Sequence, residues 1–209
     1  MSGAVTIENG FAGIDAGAWL VGRGQPTAFR GAAVRRRRKG WLVRDRAALD
    51  LVETTDRAWC ADAARPFLTH IPCAAPLAAI SSKVLVAPAA ARTGADLVKV
   101  VPMSTRAALC TTFFATDWAV MATASRTVRL SVADGETLAV RPEAVVAWTG
   151  NRPTGFVRRL GVWDILLPRL PRDLMLHFHG PCVVWAEGAR DARLAARVTR
   201  SFTGRAYGV

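Results

Sequence analysis

A chain of 209 residues, 51% of them hydrophobic, has enough apolar surface for an ordinary core; this excludes a disordered polar chain and removes the need for disulfide or metal staples. That length fits one large domain or two small ones. Its 28 Lys and Arg against 16 Asp and Glu leave a net charge of +12, carried almost wholly by arginine, so a nucleic acid or an anionic membrane surface enters consideration as a partner.

In chain order, the opening MSGAVTIENGFAGIDAG holds Glu8 and Asp15 and lacks both a basic first segment and a continuous apolar one, so it reads as neither a secretory signal nor a mitochondrial presequence. The expected compartment is the cytoplasm, with peripheral attachment to a membrane as the variant. AWLVG (18–22) and WLVRD (41–45) read as strands between glycines. Between them Arg35, Arg36, Arg37, Arg38 and Lys39 put five charges in a row, a density that binds polyanions through counterion release and that equally suits a solvated loop. DRAALDLVETTDRAWCADAARP (45–66) mixes Ala, Leu and Val with charges and admits a helix ended by Pro66. The stretch 66–82 is uncharged but interrupted by Pro66, Pro72 and Pro76, and reads as a connector rather than a helix.

From Lys83 onward short apolar or alternating segments recur between turn residues: 83–88, 96–101, 108–114, 118–124, 127–132, 137–140, 144–148, 174–179 and 182–187. That spacing predicts an antiparallel sandwich or jelly roll. Asp117 falls inside the apolar run 107–125, which therefore reads as strand, turn, strand rather than a membrane span. TVRLSV (127–132) alternates, with Val128, Leu130 and Val132 expected on the buried face. Ala133-Asp134-Gly135-Glu136 and Arg141-Pro142-Glu143 supply turn chemistry. At the C-terminal end Arg190, Arg193, Arg197 and Arg200 recur at helical spacing, with Leu194 and Val198 on another face; this is either a polyanion-facing helix or one packed by its apolar side with its arginines in water.

Cys60, Cys73, Cys110 and Cys182 form no CxxC pair and sit among apolar neighbours, so reduced, buried thiols are expected. The spacing of Cys60, His70 and Cys73 is not one used for zinc. His177 and His179 are the most conspicuous pair, because positions i and i+2 of a strand share a face and jelly-roll enzymes present two imidazoles to a metal in this way. A third ligand is missing nearby, the first carboxylate being Glu187. Two strand histidines without a metal are therefore the expectation, and no cofactor is assigned.

Two stretches together resemble a known family. LSVADGETLAVRPEAVVAWTGN (130–151) looks like the "GE-x-L-x-V-D-P-x-x-x-V-A-W" strand pair of the altered-inheritance-of-mitochondria family, through Gly135, Glu136, Leu138, Val140, Pro142, Val146, Ala147 and Trp148. GVWDILLPRLPRDLMLHFHGPCVVWAE (161–187) looks like its closing segment, through Gly161, Leu166, Phe178, Gly180, Pro181, Val184 and Trp185. Cys182 stands where the family usually has Gly, and Arg141 where it has Asp. The resemblance implies a TRAP-like β-sandwich and a non-enzymatic role, linked in fungi to organisation of the mitochondrial inner membrane. No RNA-binding or tryptophan-binding motif of the TRAP-like fold can be placed here, so those activities are not implied.

The expectation is thus an all-β chain, an antiparallel β-sandwich or double-stranded β-helix of TRAP-like kind with minor helical content. It divides into a divergent N-terminal region (1–79) that continues the sheets, a sandwich (80–187) and a basic C-terminal segment (188–209). The leading functional expectation is a non-catalytic scaffold or binding protein acting through protein contacts, with an anionic membrane surface as a further partner. A metal-dependent enzyme using His177 and His179, and a basic nucleic-acid-binding module, are the alternatives. Trp163, Leu166, Leu167 and Leu170 form an apolar stretch in a loop-like segment, expected to serve either self-association and docking or as a lid on the sandwich.

Overall fold

The computed structural model describes residues 5–22, 27–29, 33–36, 49–73, 75–101, 105–114, 117–157 and 174–188. Their regular elements are β-strands, apart from one 3-10 turn at Ser81–Lys83, joined by turns and bends. The strands are β1 (Val5–Glu8), β2 (Phe11–Ile14), β3 (Gly17–Gly22), β4 (Thr27–Phe29), β5 (Ala33–Arg36), β6 (Leu49–Thr54), β7 (Ala58–Cys60), β8 (Phe67–Cys73), β9 (Leu77–Ile80) and β10 (Val84–Pro88). They continue as β11 (Arg92–Val101), β12 (Thr105–Phe114), β13 (Asp117–Thr123), β14 (Thr127–Val132), β15 (Thr137–Val140), β16 (Val145–Thr149), β17 (Thr154–Val157), β18 (Leu174–His179) and β19 (Cys182–Glu187).

Among the described residues they make three sheets: a small one in the order β1-β2-β7-β4, a central one in the order β5-β6-β3-β10-β13-β8, and a large one in the order β14-β19-β16-β9-β12-β11-β17-β18-β15. Pairing is antiparallel except where β11 meets β17. The all-β sandwich expected from strand spacing is the architecture found.

Burial explains why this sequence stacks into layers. The central sheet is apolar on both faces. Trp19 and Val21 of β3, and Trp118, Val120 and Ala122 of β13, face Ala12, Ile14, Ala58 and Cys60 of the small sheet. The alternate residues Leu20, Ala119 and Met121 face Leu77 and Ala79 of β9 and Val146 and Ala147 of β16 in the large sheet. A strand buried on both sides has no polar face to alternate with, which is why 84–87 and 118–122 are unbroken apolar runs. A third core lies within the large sheet itself, where Trp148 of β16 and Val184 of β19 pack with Leu138, Val140, Leu176 and Phe178 from β15 and β18 at the other end of the strand order. The Trp148 and Phe178 rings are 5.8 Å apart and tilted by 60°, the edge-on geometry that the ring quadrupoles favour.

Both sheets cross residue 80 without a break. β3 pairs with β10, and β9 pairs with β12 and β16. Several expectations need correction. The segment 45–66, which admits a helix, instead contains β6 and β7; Leu49 and Val52 of β6 are buried in different cores, and burial of this kind overrides a composition that suits either state. The connector 66–82 holds β8 and β9. Pro72 is accommodated because β8 is an outer strand of its sheet and needs ladder partners on one side. In β14 Val132 is buried and Leu130 partly so, whereas Val128 is 47% exposed. Pairing within the described residues only with β19, this strand slides off the core toward its start.

Candidate functional site

The described parts of the two stretches that carry the family resemblance meet in space. β15 pairs with β18, setting Leu138 against Phe178, and β16 pairs with β19, setting Trp148 against Val184. The turn at 133–136 is closed by the Glu136 N–H donating to the Ala133 carbonyl (3.1 Å), and Gly135 takes φ +75°, where glycine alone is unstrained. The Gly180 N–H then donates to the Glu136 carbonyl at 3.1 Å. A Cβ at Gly180 would stand 1.8 Å from the Ala133 oxygen, so only glycine lets the turn approach this closely. These residues position strands; among the described ones none presents a nucleophile or a pair of acids to solvent.

His177 and His179 lie on β18, whose burial alternates so that Leu174, Leu176 and Phe178 point into the core while both histidines share the outer face. His179 is exposed, and its Nδ1 is hydrogen-bonded to Thr137 Oγ1 of β15 at 3.0 Å. His177 is half-buried, with its ring 5.3 Å from that of Phe156 on β17. Burial, and secondly the neighbouring His179, push the His177 pKa below its usual value. Among the described residues no three His, Cys, Asp or Glu side chains are placed to hold a metal together. His70 lies apart on β8, against Trp118 with ring centroids 5.8 Å apart.

A second polar cluster escaped the sequence reading. Lys83, at the end of the 3-10 turn, is nearly buried; its Nζ lies 2.7 Å from Glu187 Oε1 and donates to the Glu143 carbonyl at 2.5 Å. Arg65 holds Asp62 through Nε at 2.8 Å and also donates to the Ser82 carbonyl. Desolvation lowers the Lys83 pKa from its usual value, against the opposing pull of Glu187. Because Lys83 precedes β10 of the central sheet and Glu187 ends β19 of the large one, the pair fastens two layers at the rim of their shared core. The one signal available was that Lys83, a rare lysine in this chain, directly precedes the apolar run 84–87.

Arg35 and Arg36 lie in β5, paired with Val52 and Leu51. Arg37, Arg38, Lys39, Arg190, Arg193, Arg197, Arg200, Trp163, Leu166, Leu167 and Leu170 lie outside the described residues, as does the helix read at the C-terminal end. Cys60 is buried, which pushes its thiol pKa up to about 12; Cys182 is buried as well and its pKa is raised. No helix among the described residues is long and apolar enough to cross a membrane.

No protein-family model matches the chain, and no curated protein matches it. Among solved structures it is similar to the X-ray crystal structure of a protein from Streptococcus pyogenes determined as a structural-genomics target, with a TM-score of 0.66 at 9% identity over 93% of this chain and 96% of that one. At that identity the likeness shows the fold alone.

Proposed function

We propose that the chain is a non-catalytic β-sandwich scaffold or binding protein of the altered-inheritance-of-mitochondria kind, acting through contacts with protein, either a second copy or another chain. One observation carries this reading: described residues that carry the resemblance, among them Trp148, Phe178, Val184 and Gly180, are spent on the interior and the turns, and a motif of packing residues describes a scaffold. The contact surface we favour is the outer edge of the large sheet at β14. Among the described residues this strand pairs on one side only, and it exposes Val128 at its start. An edge with free backbone groups and an apolar side chain is a template for association.

Light scattering on the purified chain with and without Val128→Asp tests this, together with affinity capture of each from the native cell. The proposal expects self-association, or a stoichiometric protein partner, that weakens at least tenfold in the variant while its circular dichroism is unchanged. A chain that is monomeric and partnerless, or a variant that behaves as wild type, contradicts it.

A further inference from the structure

We propose that the open face of the large sheet at β11, β17 and β18 binds single-stranded nucleic acid, with a base stacked on Phe156 and the phosphate backbone held at Lys99. This stands apart from the protein contact above, which uses β14 at the far end of the same sheet. The face opposite the third core is covered by the central sheet at β9 and β16, through Ala79 and Ala147; among the described residues of that buried cluster none comes from β11, β15, β17 or β18. There the outward positions meet solvent: Phe156 is 40% exposed, and Lys99 and His179 are exposed as well.

Register gathers these residues. Val101 of β11 is paired with Phe156 of β17, and Phe156 with Met175 of β18, so Lys99, two positions before Val101, shares their face. Pairing of Lys99 with Arg106 of β12 sets a second basic residue at that register. Phe156 lies beside the His177 ring, with centroids 5.3 Å apart and planes 33° from parallel, which makes an aromatic strip next to a cation. A base finds a π-face there and its phosphate a positive charge, the pairing of features that holds single strands without reading their sequence. The charge of the face is one-sided. The only Asp or Glu in β11, β12, β15, β17 and β18 is Asp96, which is in phase with the buried Val98 of the opposite face. In the turn leading into β15, Glu136 Oε2 is engaged by the Ala133 N–H at 3.1 Å. A duplex keeps its bases stacked and offers none to Phe156, whereas a single strand has bases free to splay out; one phenyl ring is too small an apolar surface to seat the face in a bilayer.

Fluorescence anisotropy of labelled short oligo(dT) and oligo(U), titrated with the full chain over a range of salt concentrations, tests the face. The expected result is saturable binding of both, weaker for a duplex of the same length, and about tenfold weaker in Phe156→Ala, the usual cost of one lost base stack. Because Phe156→Ala changes no charge, that loss separates stacking from the general attraction of a chain with net charge +12. Lys99→Gln should weaken binding and flatten the slope of log affinity against log salt by about 0.7. Arg35→Gln with Arg36→Gln, on β5 of the central sheet, should cost less than Phe156→Ala. Phe156→Leu, which keeps an apolar side chain and removes the ring, repeats the measurement if Phe156→Ala fails to fold. Absence of saturable binding by wild type, binding of phosphatidylserine vesicles in place of the oligonucleotides, unchanged affinity in the Phe156 variants, or a greater loss at Arg35 and Arg36 overturns the proposal.

Discussion

Lys83 Nζ and Glu187 Oε1 stand 2.7 Å apart with side chains only 11% and 16% exposed, joining the start of β10 to the end of β19. A pair so far from water gains little from its attraction alone, because desolvating two charges offsets it; its weight shows when one partner is removed. Glu187→Leu or Lys83→Met alone leaves one buried charge unmatched and should destabilise the fold by about 3–5 kcal/mol, whereas the two together should recover most of that loss. Urea denaturation of the two singles and the double gives the coupling directly. Additive losses would show that the two side chains act independently.

Three glycines should separate by the space each faces. Gly180→Ala drives a Cβ to 1.8 Å from a backbone oxygen, which cannot move without opening the 133–136 turn, so a loss of about 3 kcal/mol or more is expected. Gly135→Ala meets nothing within 4 Å but holds φ +75°, and should cost about 1–2 kcal/mol. Gly94→Ala has open space and no positive φ, so its melting temperature should stay near wild type. Equal melting temperatures for the Gly180 and Gly94 variants would refute the close approach.

Acidification should weaken the fold through His177. Its folded-state pKa lies below the usual 6.5, so between that lowered value and 6.5 the unfolded chain takes up a proton that the folded chain resists. Stability therefore rises with pH across this window and is lost as pH falls through it. His70 is shifted in the same direction by burial. Urea midpoints at pH 7.5 and pH 5.5 should differ, and His177→Gln should narrow the gap; an unaltered gap would assign the acid sensitivity elsewhere.

Burial keeps the Cys60 thiol protonated well beyond neutral pH, and a thiol rather than a thiolate is a poor nucleophile. Iodoacetamide at pH 8 should leave Cys60 and Cys182 unmodified in the folded chain and alkylate both in denaturant, as read by mass spectrometry. Rapid native labelling of Cys60 would contradict its place between the small and central sheets.

The strands from Lys83 onward were legible because each is short, apolar or alternating, and closed by a turn residue: β14 and β15 run over the residues read from TVRLSV and TLAV. The N-terminal region was not. β6 carries the buried Asp50 beside Leu49 and Val52, so charge spacing there imitates a helix surface. β8 contains a proline that sequence rules assign to a break, and only its outer place in the sheet makes it admissible. Of the candidate sites, the shared face of His177 and His179 followed from strand periodicity. The contacts of these rings with Thr137 and Phe156, and the pairing of Lys83 with Glu187, depend on which strands become neighbours, and no local pattern encodes that.

The most direct test of the scaffold reading is photo-crosslinking in the native cell with a photoreactive residue at position 128 of β14, compared with the same residue at the exposed turn position 141. The account predicts a discrete crosslinked protein species, either a second copy or one partner, from position 128 that is absent from position 141. No discrete product from position 128, or the same products from both positions, would contradict it.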